Sequence, residues 1–393
     1  MLRYVFTLSL FFVFNAIKLQ AQQSFITGKT TGNLPYLEYG LGDDRLGGAK
    51  MSFLDTNVVV RVVDSTRDDY KVWLSKDHFA YMPKSSFTPD TTVVSKLYYL
   101  TGSWKCYGDS TYDYLTVSLD ERLPYRSMQT IDPSTIVIDV FGATSNTNWI
   151  TQLLSAKEIK NVWYEQVEDD VFRVTISLKH QQHWGYRIYY EGNRLVVKIN
   201  RQPASLKLEG LRIAVDAGHG GENMGARGSK TKILEKDYTL RFAGELKKVL
   251  EKEKAIVSMT REKDTTLSMV ERMQMIRQDS AQLLISIHLN SSGRDSISGT
   301  STYYRYIGFR PLTQTIYKRM LQLGLAEFGN VGGFNFSLSG PTDYPNCLVE
   351  VAFLSNREDE QRILDPQFRQ AVAKKIVEGI KDWLNIVSKQ PLN

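Results

Sequence analysis

Four residues of this 393-residue chain stand where their types and spacing could do chemistry: His219, Glu235, His288 and Glu350. His219 lies in a glycine-crowded loop, VDAGHGGENMGARG, just after the apolar run Leu211–Val215. His288 directly follows a second apolar run, Leu283–Ile287, and Asn290 is close behind it. Glu235 begins a long amphipathic stretch, and Glu350 interrupts a third apolar run, CLVEVAF. Two neutral imidazoles and one carboxylate are the protein ligands of a catalytic zinc with an open fourth position. A structural zinc takes four protein ligands, usually with cysteines. Zinc lowers the pKa of a bound water to about 7, which makes hydroxide available at neutral pH. Hydrolysis then needs a carboxylate to take up and deliver protons. Glu350 is the candidate, because a carboxylate among Leu348, Val349, Val351 and Phe353 is costly unless it faces a polar site or a metal.

The glycine loop invites a different reading, a phosphate cradle. A dinucleotide loop needs G-x-G-x-x-G after a strand, but here Asn223 stands at the last glycine position. A P-loop needs Gly-Lys-Ser/Thr, and none follows, so both readings fail on the residues themselves. Taken singly, each of the four residues also has a plain structural explanation. A histidine after a strand can be a simple hydrogen-bonding residue, Glu235 can complement a helix dipole, and Glu350 can pair with a buried arginine. Their joint occurrence at strand ends and a helix start favours the metal site.

The elements that must position them read as strand–helix alternation from Leu208 to about Val387. Strands are expected at Leu211–Val215, Leu283–Ile287 and Cys347–Phe353. Helices are expected at Lys236–Glu253, Val270–Asp279, Thr313–Glu327 and Gln367–Leu384. Apolar strands with intervening helices imply an α/β domain, over 208–388, with a mostly parallel sheet flanked by helices on both faces. In such a sheet the carboxyl ends of the strands share one crevice, which would bring both histidines to the same edge.

The chain ahead of this domain reads differently. Residues 1–21 have Arg3, an apolar core to about Ile17 and a small residue at Ala21, the pattern of a cleaved signal peptide. No later stretch is apolar and long enough to span a bilayer. Export to the periplasm or cell exterior is expected. Residues 22–40, rich in Gly, Ser and Thr, read as a linker. Two small all-β domains follow, at 41–92 and 93–203, with short β-branched and aromatic runs between turn residues. The net charge of +6 suits an anionic surface such as a cell-wall polymer or lipid headgroups, or simply a solvated basic surface, the reading to prefer, and it is too diffuse to argue for nucleic acid. Two cysteines, Cys106 and Cys347, read as free buried thiols. His180 and His183, in HQQH, would fall on opposite faces of a strand, so they read as surface histidines rather than metal ligands.

VDAGHGGENMGARG, ILEKDYTLRFAGEL, MTREKDTTLSMVERM, LLISIHLNSS and PNCLVEVAFLSNREDEQRIL occur in this order. Together they resemble the zinc-dependent N-acetylmuramoyl-L-alanine amidases of bacterial cell-wall metabolism. The resemblance implies zinc held by His219, Glu235 and His288, with Glu350 as catalytic glutamate. The reaction it implies is hydrolysis of the amide between N-acetylmuramic acid and L-alanine of peptidoglycan. Asn290, Arg261 and Asn223 are candidates for substrate contact or site support, and Arg261 could equally pair with Asp264. The stretch from Phe53 to Phe87 resembles a bacterial SH3-like barrel. IVIDVFGA, with the segment from Phe172 to Ile199, resembles an AMIN-type β-sandwich, a wall-targeting module. Asn223 stands where the family often has an acidic residue, and Ala352 where a glycine is usual. The segment from His288 to Thr302 has no room for the inhibitory helix of some members. A weakly active wall-binding or regulatory protein, and a zinc peptidase acting on stem peptides, are the alternatives.

Overall fold

The computed structural model describes residues 25–42, 48–93, 96 and 98–393. The expected signal peptide, 1–21, lies outside the described residues. Seven strands between Ile26 and Pro89 form one sheet. The expected linker is corrected here. Strand Ile26–Thr30 sits inside this sheet, paired antiparallel with Val59–Ser65 on one side and Phe87–Pro89 on the other. The composition that reads as a loose arm has a packing cause at Gly28, where any Cβ would collide with the Thr88 carbonyl and the Phe87 ring.

Residues 99–200 form two further sheets. One contains Tyr125–Ile131, Ser134–Phe141, Val171–Leu178 and Ile159–Glu168, all antiparallel. The other is built around Tyr99–Gly108, Tyr112–Leu119, Arg194–Asn200 and Tyr186–Glu191. Their facing apolar residues, among them Trp104, Ile138 and Phe172, share one continuous core with Leu37, Val60 and Met82 of the first sheet. The two β units are therefore packed together rather than strung as separate beads.

His183 departs from the surface placement expected for it. It is buried at 1% exposure, and its Nε2–H donates to the Thr130 carbonyl at 2.7 Å. His180 is half-buried, with Nδ1 2.6 Å from the Glu158 carboxylate. The chain turns between these residues instead of continuing as a strand, so alternation did not apply. Cys106 and Cys347 are both free and buried.

The C-terminal domain contains strands β1 (Arg212–Ala217), β2 (Ile256–Met259), β3 (Leu283–Asn290), β4 (Thr300–Tyr304), β5 (Glu327–Gly332) and β6 (Asn346–Phe353). Its helices are α1 (Glu235–Lys252), α2 (Met269–Gln278), α3 (Arg310–Leu321), α4 (Arg357–Leu364) and α5 (Pro366–Val387). The sheet order is β2-β1-β3-β6-β4-β5. Pairs β1–β2, β1–β3, β3–β6 and β4–β5 are parallel, and β4–β6 is antiparallel.

α1 buries Tyr238, Phe242, Leu246 and Leu250, a stripe at helical spacing that packs with α3 and α5 against one face of the sheet. α2 covers the other face with Met273 and Ile276, next to Ala214 and Leu284. α2 starts with a full capping box between Ser268 and Glu271. α3 stops at Leu321, earlier than the periodicity to Glu327 implied, because Gly324 takes φ +71° and the chain turns into β5. Every residue of β6 is buried, Glu350 included.

Candidate metal centre

β1 and β3 are parallel neighbours, so their carboxyl ends open at the same edge of the sheet. His219 follows β1 by two residues, and His288 lies within β3, which continues to Asn290. Glu235 is the first residue of α1, directed back into the same crevice. One ligand atom from each of His219, Glu235 and His288 can be chosen so that all three lie within 4.8 Å of one another. His219 Nε2 is 3.0 Å and His288 Nδ1 3.2 Å from Glu235 Oε1. Glu350 reaches the site from β6, whose backbone pairs in register with β3 at His288. These residues line a cavity of about 540 Å³ together with Asn223, Asn290, Met269 and Phe336.

The loop after β1 is held in place by two arginines beneath it. Arg261 Nε donates to the Ala217 carbonyl and Nη2 to Gly218, both at 2.9 Å. Arg272 donates to Ala217 at 2.9 Å and to His219 at 2.5 Å. Three successive carbonyls are thus turned inward, and His219, at φ 62°, presents its ring to the cavity. The glycines leave room for the rings. A Cβ on Gly218 would collide with the His288 imidazole, and one on Gly225 would press on Glu235 and His219.

Glu235 is fixed by the Ala226 N–H on Oε2 at 2.7 Å and the Leu289 N–H on Oε1 at 3.0 Å. Burial pushes its carboxyl upward, but the bonds to His219 and His288 outweigh that and hold it well below the usual carboxylate range. Burial pushes the His219 imidazole down, and the Glu235 carboxylate overrides it and raises the pKa. His219 Nδ1 lies 2.9 Å from Asn223 Oδ1. An N–H there fixes the ring and leaves Nε2 for the centre, the outer support that metal-binding histidines commonly have.

The remaining expected residues divide. Asn223 and Asn290 line the cavity. Arg261 does not line it, and its guanidinium is bound to backbone carbonyls and Thr239, so it supports the loop. Asp264 instead accepts from Lys236 Nζ and the Gly221 N–H, so the Arg261–Asp264 pairing is not formed as an ion pair. Sequence reasoning passed over the pair beneath the site, Asp216 and Arg272, 2.6 Å apart and each 1% exposed. Thr260 and Ser286 also donate to Asp216, at 2.7 and 2.6 Å. Burial raises the Asp216 pKa, and Arg272 and His288 more than reverse this, so it stays below the ordinary carboxylate value. The available signals were a carboxylate closing an apolar strand and an arginine between Met269, Met273 and Ile276 on one helix face. Phe336, stacked 6.4 Å from the His288 ring, was also missed.

Two imidazoles and a carboxylate converging on an open cavity fit a single metal ion. Residues 213–382 match the family described as N-acetylmuramoyl-L-alanine amidase, and residues 105–199 match the AMIN domain. The chain is similar to the probable cell wall amidase LytH of Staphylococcus epidermidis, with 35% identity over 192 residues, 49% of this chain and 64% of that one. It is similar also to LytH of Staphylococcus aureus, with 37% identity over 179 residues, 45% of this chain and 60% of that one. It therefore spans less than two thirds of the length of these relatives. Among solved structures it is similar to the catalytic domain of CwlV, an N-acetylmuramoyl-L-alanine amidase from Bacillus (Paenibacillus) polymyxa, with 32% identity, 45% of this chain, 99% of that one and a TM-score of 0.43. The chain thus carries, at its C-terminal end, a domain of the N-acetylmuramoyl-L-alanine amidase family, preceded by an AMIN domain.

Proposed function

We propose that this chain is a zinc-dependent hydrolase that cleaves the amide between N-acetylmuramic acid and L-alanine of peptidoglycan. The observation that carries this reading is the convergence of His219, Glu235 and His288 within 4.8 Å, in a domain of that family. His219, Glu235 and His288 would hold the metal, and the open cavity beside them would admit the substrate amide. Bound zinc supplies Lewis-acid polarisation of the scissile carbonyl and acidification of water. Glu350 takes the proton from the attacking water and delivers it to the departing amine of L-alanine. Asn223 keeps the His219 ring in position, and Asn290 and Phe336 border the space for the substrate. The N-terminal β units, read as an SH3-like barrel and an AMIN sandwich, target the enzyme to the wall after export to the periplasm or cell exterior.

The test is digestion of purified peptidoglycan with detection of new amino groups. The reading predicts release that a chelator abolishes and added zinc restores. Release unchanged after verified metal removal would contradict it.

A further inference from the structure

A second cavity, of about 290 Å³, lies between the AMIN sandwich and the catalytic domain. Arg212, the first residue of β1, lines it, whereas His219 follows the last. At about 3.3 Å per strand residue, the two openings are roughly 15–20 Å apart along the sheet. The walls carry five basic side chains, Arg187, Lys198, Arg201, Arg212 and Arg277, against one acidic one, Asp343. Asp343 already accepts two bonds from Arg277, each at 3.1 Å. Arg201 is paired with the buried Asp113 at 2.7 Å.

Three cations are left over. Among the described residues no ion pair engages Arg187, Lys198 or Arg212. Arg187 and Lys198 are moreover direct partners across two antiparallel strands, an arrangement of like charges that destabilises a sheet. Burial first, and the Arg187 charge next, hold the Lys198 ammonium below its usual pKa. The Lys198 ammonium rests 3.5 Å from the centre of the Tyr112 ring. An anion between these groups would relieve their repulsion, and a guanidinium fork matches a carboxylate in shape. The half-buried Tyr112 adds an aromatic wall, which suits an organic anion rather than a bare inorganic one.

We propose that this cavity binds a peptide carboxylate through Arg187, Lys198 and Arg212, with Tyr112 against the peptide body. The choice of a peptide as carrier rests on the amidase reading, since stem peptides supply carboxylates in peptidoglycan. A ligand here touches both domains at once. It anchors a neighbouring stem while the His219 cavity takes the muramoyl amide.

The experiment is calorimetric titration of the full chain carrying Glu350→Gln, so that turnover is suppressed. The probes are an acetylated stem pentapeptide with free carboxylates, its fully amidated counterpart, and inorganic phosphate. The proposal predicts saturable binding of the free-carboxylate peptide that weakens with salt. Amidation, or the combined change Arg187→Ala, Lys198→Ala and Arg212→Ala, is expected to weaken binding about tenfold or more. Should the triple variant unfold, Arg212→Glu alone, at an exposed strand start, serves instead. Equal binding by the amidated peptide or by the folded variant overturns the proposal, as does phosphate binding as tightly as the peptide. Absence of peptide binding, with muramoyl amide hydrolysis intact in the unsubstituted enzyme, overturns this cavity alone. Binding without that hydrolysis overturns the amidase reading alone.

Discussion

His288 on β3 and Glu350 on β6 are direct partners in a parallel strand pair. Residues paired in register present their side chains to the same face of a sheet. The backbone ladder therefore fixes the separation of the imidazole proposed as a metal ligand from the carboxylate proposed to handle the proton, and no loop motion is needed to bring them together. Glu350→Gln keeps the shape and removes the proposed base. The expected outcome is a rate about 100- to 10,000-fold lower with zinc content and melting temperature unchanged. A fully active variant would remove Glu350 from the mechanism.

Gly218→Ala tests the room for the second imidazole. The added Cβ collides with the His288 ring, so the ring must turn away from Glu235. Zinc affinity is expected to fall roughly 10- to 100-fold, the weight of a disturbed supporting contact. Competition with a chromophoric chelator measures it, and wild-type affinity would show that the ring has space to spare.

Beneath the site, Arg272 neutralises the buried Asp216. Arg272→Met strands that carboxylate and should cost about 3–5 kcal/mol in urea unfolding. Adding Asp216→Asn should recover part of the loss. A double variant less stable than the single one would mean that Arg272 acts mainly through its bonds to the loop carbonyls.

His183 predicts an acid-side weakness at the junction of the β sandwich and the catalytic domain, where it lies against Gly308. Burial holds its pKa down to about 4, against an ordinary 6.5. Nδ1 is buried without a partner among the described residues, so a second proton on the ring has no acceptor. The unfolded chain takes up that proton first as pH falls. The stabilisation is complete above about pH 6.5 and is lost between there and about pH 4, about 3 kcal/mol in all. His183→Gln should flatten that part of the stability–pH curve, and an unchanged slope would exclude His183 as its cause.

His219, His288 and Glu350 were legible because each breaks a pattern, a carboxylate inside CLVEVAF or an imidazole where an apolar strand ends, whereas Glu235 stood out only by its place at a helix start. The long helices were legible from their periodicity. Strand Ile26–Thr30 was not, because its Gly and Thr residues look like a linker and its partners lie 30 to 60 residues away. β2 has only four residues, and β4 (TSTYY) and β5 (EFGNVG) carry no apolar run. Arg261 and Arg272 bond to backbone carbonyls, which have no signature in side-chain spacing. His183 was misplaced because residues distant in sequence bury it, Thr130 and Ser134 of its own sandwich and Gly308 of the catalytic domain.

The central claim is the identity of the bond that is cut. Mass spectrometry of purified peptidoglycan digested by the unsubstituted enzyme, beside a Glu350→Gln control, tests it most directly. The account predicts stem peptides with free L-alanine amino termini, alongside intact disaccharides, in the first digest and not in the control. Fragments cut within the stem peptide, with lactyl–alanine amides intact, would contradict it.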